Sequence, residues 1–326
     1  MQKKILLAVD NTLPSRSALD YAIHLSYVIE DLHYVLFHIQ PMISLFLQDE
    51  ARTSTLARKQ LDKIVNTNKQ MAEALLDDYR HQMEQHGIAP ENIECITNIR
   101  TLGYAKDIIE KAQKEQYDAI VVGRRGISGL QKMYSGSVTT DILEQSQVIP
   151  VWLVDGKVPP GDILMAIDGS EASLKAVDHV SFIMSKNPDA RLTLLHVTSN
   201  ARNYCEIDLD AQPNPELEDI VIRGDKACID QFYPHAMKKF EDAGISEEQI
   251  TIETVSGSRR IGKAILEFAQ KGNYSTVVVG RRGINKSFFM GSASRYLINK
   301  ISNGAIWVVP VSYTHLTLPT TIKPWW

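Results

Sequence analysis

The heptapeptide Val-Val-Gly-Arg-Arg-Gly-Ile occupies positions 121–127 and occurs again, without a change, at 278–284. Each copy follows a short apolar run and contains two glycines and two arginines. Glycine permits positive φ and lets a backbone approach a ligand closely, and arginine adds positive charge. The two copies therefore indicate a duplicated unit that carries one anion-binding turn in each half.

The repeat extends well beyond the heptapeptide. The segment Lys-Ile-Leu-Leu-Ala-Val-Asp at 4–10 returns as Asp-Ile-Leu-Met-Ala-Ile-Asp at 162–168, and Gly136-Ser137 returns as Gly291-Ser292. Solenoid repeats have periods of roughly 20–50 residues, which are much shorter than the spacing seen here. The pattern predicts two copies of one domain.

Within each half, five short apolar runs alternate with longer segments of helical periodicity. Short, uniformly apolar runs are typical of strands buried on both faces of a parallel sheet. We therefore predict the α/β class, with two tandem doubly wound domains, each a five-stranded parallel sheet flanked by helices. The predicted limits are domain 1 at 1–155, a linker at 156–161 within the Gly/Pro-rich segment 155–161, domain 2 at 162–311, and a non-native or disordered tail at 312–326.

Bulk composition narrows the functional classes. The 326 residues are 44% hydrophobic and carry a net charge of −4, without a long basic block or a long apolar span. These values disfavour nucleic acid and membrane as partners. The three cysteines, Cys95, Cys205 and Cys228, form no C-x-x-C pair, which suits a reducing compartment. We expect a cytoplasmic protein.

In an open α/β sheet, ligands bind beyond the carboxyl ends of the strands, at the switch in strand order. The first strand of each half ends at an aspartate, Asp10 or Asp168, and the fourth ends in the repeated heptapeptide. Gly136-Ser137 precedes a helix predicted over 138–145, whose N-terminus would offer free N–H groups to an anion. This combination favours phosphate, although its spacing is neither G-x-G-x-x-G nor the Walker pattern.

The spacing G-x-x-G-x(9)-G-[ST] after the fourth strand, with Ala-Val-Asp closing the first, resembles the universal stress protein family over nearly all of residues 1–311. The resemblance implies strand order 3-2-1-4-5, binding of ATP with or without Mg²⁺, and a tandem chain equivalent to a fused dimer. It places adenine near Asp10 and Ile39. It assigns the ribose and phosphates to Gly123, Arg124, Gly126, Gly136, Ser137 and Val138. The matching positions in the second half are Asp168, Val197, Gly280, Arg281, Gly283, Gly291, Ser292 and Ala293.

One difference separates the two halves. Nine residues lie between Gly126 and Gly136, but only seven lie between Gly283 and Gly291. The shorter loop would change the path of the chain around the phosphates. We therefore expect the first half to be the better ATP site.

The sequence favours binding over catalysis. It contains no G-x-S-x-G elbow, H-E-x-x-H or paired Cys–His motif, so we assign no catalytic residue and expect at most weak ATP hydrolysis. No metal site is assigned, although the carboxylate of Asp10 could help to hold Mg²⁺. His38 and His196 are interpreted as structural histidines, and the polar segment 54–86 as a solvated amphipathic helix.

Three hypotheses follow. The first is a cytoplasmic, nucleotide-responsive stress regulator, whose partners are the nucleotide, the paired halves of the chain and a homodimer. The alternatives are a nucleotide-free interaction scaffold and a slow ATPase.

Overall fold

A computed structural model of the chain describes residues 2–124, 138–199, 215–258, 260–281 and 291–314. The described residues form two compact units. The first unit contains the chain up to Pro160 together with Ile301–Ala305, and the second unit contains the rest. Strands and helices alternate in both.

The first unit is a five-stranded sheet in the order β3-β2-β1-β4-β5, with every neighbouring pair parallel. The predicted α/β class and the strand order 3-2-1-4-5 are confirmed. Its elements are β1 (Lys3–Ala8), α1 (Leu13–Ser26), β2 (Leu32–Gln40), α2 (Leu45–Thr53), α3 (Thr55–Gln85), β3 (Ile93–Ile99), α4 (Tyr104–Lys114), β4 (Ala119–Gly123), α5 (Val138–Gln145) and β5 (Val151–Asp155).

The second unit repeats this topology in the order β8-β7-β6-β9-β10. Strand β6 pairs in parallel with β7 and β9, and β7 pairs in parallel with β8. Its elements are β6 (Ile163–Ile167), α6 (Glu171–Ile183), β7 (Leu192–Ser199), α7 (Pro215–Asp242), β8 (Ile250–Ser258), α8 (Ile261–Lys271), β9 (Thr276–Arg281), α9 (Ser292–Lys300) and β10 (Gly304–Pro310).

Local sequence explains where these elements begin and end. Helix α1 starts after Thr12, whose side chain accepts the N–H of Ser15, and proline stands in its first turn. The long helices α3 and α7 are each followed by a glycine with left-handed φ, +86° at Gly87 and +79° at Gly244. Only glycine adopts that conformation without steric cost, which is why both helices stop there as predicted.

Helix α3 is amphipathic, as predicted. Its second half buries a stripe of side chains at spacings of three and four residues, namely Ala72, Leu76, Tyr79 and Met83. That spacing places all four on one face, which packs against β2 and β3. Although α3 has 31 residues, neither it nor any other described helix has the apolar length needed to cross a membrane.

The packed part of the second unit extends into the segment that we interpreted as a tail. Tyr313 is only 3% exposed, and its ring lies edge-on to that of His179, with centroids 5.0 Å apart. The ring of His179 also lies edge-on to that of Trp307, with centroids 5.7 Å apart. Tyr313 is therefore packed within the second unit, while residues 315–326 lie outside the described residues.

The carboxyl of Asp118, immediately before β4, should make the stability of the first unit depend on pH. Its Oδ2 accepts the N–H of Lys4 at 2.7 Å, yet burial dominates and raises the pKa of this carboxyl from 3.8 to about 6. A raised folded pKa contributes stability that is complete below pH 3.8 and lost as the pH rises through 6. We therefore expect Asp118→Asn, which stays neutral, to stabilise the first unit by about 2 kcal/mol at neutral pH.

The measurement is the urea midpoint of the wild-type and Asp118→Asn proteins between pH 4 and pH 7. The gain in midpoint should shrink towards zero at pH 4, where this carboxyl is protonated in the folded state and partly protonated in the unfolded state. Asp62→Asn, on an exposed part of α3, is the control. A gain of the same size at every pH would show that ionisation of Asp118 is not its cause.

Candidate nucleotide site

A cavity of about 720 Å³ lies in the first unit, beyond the carboxyl ends of β1, β2 and β4. The helices α1, α3, α4 and α5 also contribute lining residues. This position is the switch in strand order, because β1 pairs with β2 on one side and β4 on the other. Volumes of roughly 300–1,000 Å³ are typical of sites for small molecules.

The turn after β1 holds Asp10 at one edge of the cavity. Its carboxylate Oδ1 accepts hydrogen bonds from the hydroxyls of Thr12, at 2.5 Å, and Ser15, at 2.8 Å. The main-chain N–H of Asp10 donates to Ser15 Oγ at 2.8 Å. These bonds occupy one carboxylate oxygen, and the other, Oδ2, is left for a ligand at the cavity that Asp10 lines.

The end of β2 supplies the next part of the wall. Ile39, assigned to the adenine side, lines the cavity, as does His38. The Nδ1 atom of His38 lies 2.9 Å from the carbonyl oxygen of Val9, and His196 repeats this contact with Ile167 at 3.2 Å. Both histidines therefore join neighbouring strands, which confirms their structural interpretation.

The third side is formed by the end of β4 and the start of α5. Gly123 and Val138 line the cavity together with Thr139, whose hydroxyl donates to the carbonyl oxygen of Gly123 at 3.2 Å. Helix α5 spans Val138–Gln145, as predicted, and its first residues, Val138 and Thr139, line the cavity. Arg124 is not among the lining residues; its guanidinium donates to the carbonyl oxygen of Ile301 at 3.0 Å.

The reason for glycine at position 123 differs from the one that the sequence suggested. Neither Gly123 nor its equivalent Gly280 has positive φ. A Cβ atom on Gly123 would instead lie 2.0 Å from the carbonyl oxygen of Pro14, and one on Gly280 would lie 2.4 Å from that of Ala172. Both glycines therefore allow a helix N-terminus to pack directly on a strand. Close packing, and not a positive φ, therefore accounts for these two glycines.

Helix α3 provides a wall that sequence analysis missed. Asn68, Met71, Leu75 and Asp78 line the cavity, beside the buried Ala72. The apolar stripe of α3 could have indicated this wall, because a helix with one apolar face packs that face against the sheet.

The charged side chains of the described lining are all acidic. The lining contains two carboxylates, Asp10 and Asp78, and no lysine or arginine.

The second unit repeats the first-strand turn. Oδ1 of Asp168 accepts from Ser173 Oγ at 2.7 Å and from the N–H of Ser170 at 3.1 Å. Above this turn, Cys228 of α7 packs against Gly169, with its Sγ 3.8 Å from the glycine carbonyl oxygen. Gly169 has a φ of +73°, and a Cβ there would meet the sulfur at 2.6 Å.

The structure places the other predicted residues of the second half on matching elements. Val197 is buried in β7, Gly280 and Arg281 end β9, and Gly291 precedes α9, which begins with Ser292 and Ala293. Four predicted site residues lie outside the described residues, namely Gly126, Gly136, Ser137 and Gly283. Within the described residues, no group of three or more His, Cys, Asp or Glu side chains could hold a metal ion.

Comparisons with known proteins agree with this architecture. Universal stress protein YxiE of Bacillus subtilis (strain 168) is 27% identical over 154 residues, which are 47% of this chain and 99% of that protein. The crystal structure of a universal stress protein from Archaeoglobus fulgidus DSM 4304 matches with a TM-score of 0.64 and 21% identity, covering 94% of this chain and 98% of that one. A putative universal stress protein from Pseudomonas aeruginosa UCBPP-PA14 matches with a TM-score of 0.55 and 16% identity, covering 95% and 93%.

The sequence pattern of the Universal stress protein family matches twice, at residues 1–155 and 161–310. Together the two matches span almost the whole chain, and each coincides with one five-stranded sheet. The chain is therefore a tandem member of the universal stress protein family.

Proposed function

We propose that the protein binds ATP in its first unit and acts in the cytoplasm as a nucleotide-responsive stress regulator. The observation that supports this most directly is the shared cavity of Asp10, Ile39, Gly123 and Val138. These residues come from three separate strand ends and one helix start, and all four were assigned to nucleotide from the sequence. Their convergence on one cavity is what an ATP site requires.

The cavity suits a molecule with an apolar, hydrogen-bonding part and an anionic part. Ile39, Met71 and Leu75 offer apolar surface to a base, and the carboxylate of Asp10 can accept hydrogen bonds from amino or hydroxyl groups. The described lining has no cationic side chain, so phosphates would be placed best at the N-terminus of α5. There the positive end of the helix dipole favours negative charge.

Calorimetric titration of the purified protein with ATP, with and without Mg²⁺, tests the proposal. Any nucleotide carried through purification is first released by denaturation and identified by mass. We expect ATP to bind and to raise the unfolding midpoint, because a ligand at about 100 times its Kd stabilises the folded state by about 2.7 kcal/mol. Protein that is empty when purified and shows neither heat of binding nor a shift in midpoint would overturn the proposal.

A second candidate function is that of an interaction scaffold. Helix α2 and the start of α3 leave three large apolar side chains in solvent: Leu45 is 71% exposed, Phe46 is 75% and Leu56 is 69%. Because α2 and α3 contact each other, these exposed apolar side chains favour a site where proteins associate. The scaffold hypothesis replaces the first one if ATP does not bind. The protein has both functions if it associates with another protein, if Phe46→Ser weakens that association and if ATP changes its strength.

A further inference from the structure

The hydroxyl of Tyr79 makes a contact that neither the family assignment nor the sequence motifs explain. Tyr79 lies in the buried stripe of α3 and is fully buried. Its Oη donates to the main-chain carbonyl oxygen of Asp10 at 2.9 Å. The bond spans 69 residues and joins α3 to the turn that carries the candidate ligand carboxylate.

This hydrogen bond comes from a distant part of the chain, unlike the other described hydrogen bonds of Asp10. The remaining contacts of Asp10 come from Thr12 and Ser15, which belong to the same turn and the start of α1. They fix the carboxylate relative to α1 but not relative to α3. Tyr79 makes that second connection, since α3 also lines the cavity, with Met71, Leu75 and Asp78.

The surroundings of the phenol support a fixed orientation. Burial raises the pKa of Tyr79, and the neighbouring guanidinium of Arg16 opposes that rise through a hydrogen bond. The phenol therefore stays neutral at physiological pH and keeps its proton for the carbonyl oxygen of Asp10.

The second unit has no tyrosine at the position that corresponds to Tyr79. An offset of 157 residues, the same as between the two heptapeptides, aligns Gly87 with Gly244 and aligns Tyr79 with Ala236. Ala236 is fully buried, as Tyr79 is, so the helix faces correspond. Alanine has no donor, and the nearest equivalent contact is the weak one from Cys228 Sγ to the carbonyl oxygen of Gly169.

We propose that Tyr79 is a positioning residue for nucleotide, through which α3 holds the Asp10 turn at the distance that the ligand needs. The inference rests on the proposed ATP site, and it explains why the first unit should bind more tightly than the second. Tyr79 itself need not touch the nucleotide, because it acts through the main chain of Asp10.

The test compares Tyr79→Phe with Tyr34→Phe. Tyr34 is also buried, and its hydroxyl donates to the carbonyl oxygen of Ala22 at 2.8 Å, but it does not line the cavity. Each variant removes one buried phenol–carbonyl hydrogen bond and keeps the ring, so both should fold and lose similar stability. We expect ATP affinity to fall about 5- to 10-fold in Tyr79→Phe and less than about 2-fold in Tyr34→Phe.

A double-mutant cycle with Asp10→Ala separates positioning from a general loss of structure. If Tyr79 acts by placing the Asp10 carboxylate, then Tyr79→Phe should cost less than about 2-fold once that carboxylate is absent. An equal loss in both backgrounds would overturn the inference, as would equal losses in Tyr79→Phe and Tyr34→Phe. A wild-type protein that binds no ATP would instead refute the proposed function, so the two failures are distinguishable.

Discussion

Gly123→Ala is expected to destabilise the first unit by about 3–5 kcal/mol, a large part of the roughly 5–15 kcal/mol that keeps a domain folded. The added Cβ would lie 2.0 Å from the carbonyl oxygen of Pro14 and 2.3 Å from its carbonyl carbon. Both are backbone atoms, so no side-chain rotation relieves the overlap. The start of α1 would have to move away from β4, and that movement would break the packing beneath the cavity.

The same substitution should abolish measurable ATP binding, because Pro14 and Gly123 both line the cavity. Urea unfolding and calorimetric titration measure the two effects. Gly291→Ala is the matched control, since no atom lies within 4 Å of a Cβ placed there, and it should change stability by less than about 0.5 kcal/mol. A Gly123→Ala protein as stable as the wild type would show that close packing does not select this glycine.

Asp10→Ala is expected to lower ATP affinity roughly 10- to 100-fold, whereas Asp168→Ala should change the tighter binding event by less than about 2-fold. The loss follows from removing a charged hydrogen-bond acceptor from the site, an interaction worth about 1.5–3 kcal/mol. The two variants should differ in ATP affinity because the two units differ in two features. Asp10 is joined to α3 by the buried phenol of Tyr79, whereas alanine stands at the corresponding position of α7. The first unit also has nine residues before Gly136, and the second has seven before Gly291.

The two aspartates form a matched pair for this experiment. Each accepts two hydrogen bonds at Oδ1, from Thr12 and Ser15 in the first unit and from Ser170 and Ser173 in the second. Both substitutions should therefore cost similar stability, about 1–3 kcal/mol, and a difference in affinity cannot be ascribed to folding. Equal losses of affinity, or a larger loss in Asp168→Ala, would contradict the ranking of the two units.

Much of the architecture was accessible from sequence because it depends on local rules. The apolar runs predicted the five strands that the structure describes in each half, and the polar segment 54–86 predicted the helix that ends at Gln85. The start of α5 at Val138 was predicted as well. Each of these features is set by neighbours within a few positions, through burial periodicity or through a backbone conformation that one residue type favours.

The parts of the site that sequence analysis missed depend on long-range contacts. Tyr79 and Asp10 are 69 residues apart, and nothing between them indicates that a phenol and a carbonyl oxygen meet. The role of Gly123 depends in the same way on Pro14, 109 positions earlier in the chain. A repeat alignment could have shown that Tyr79 corresponds to Ala236, but it could not have shown what that change removes.

The sequence alone determined that the chain is one α/β unit repeated, with its candidate ligand groups at the strand ends, because repetition, apolar periodicity and glycine spacing are local and readable. Only the tertiary structure decided which groups share a cavity, why Gly123 must be glycine and how α3 closes the site. Those properties arise from packing between segments that are distant in the chain, where the identity of one residue is constrained by the backbone of another.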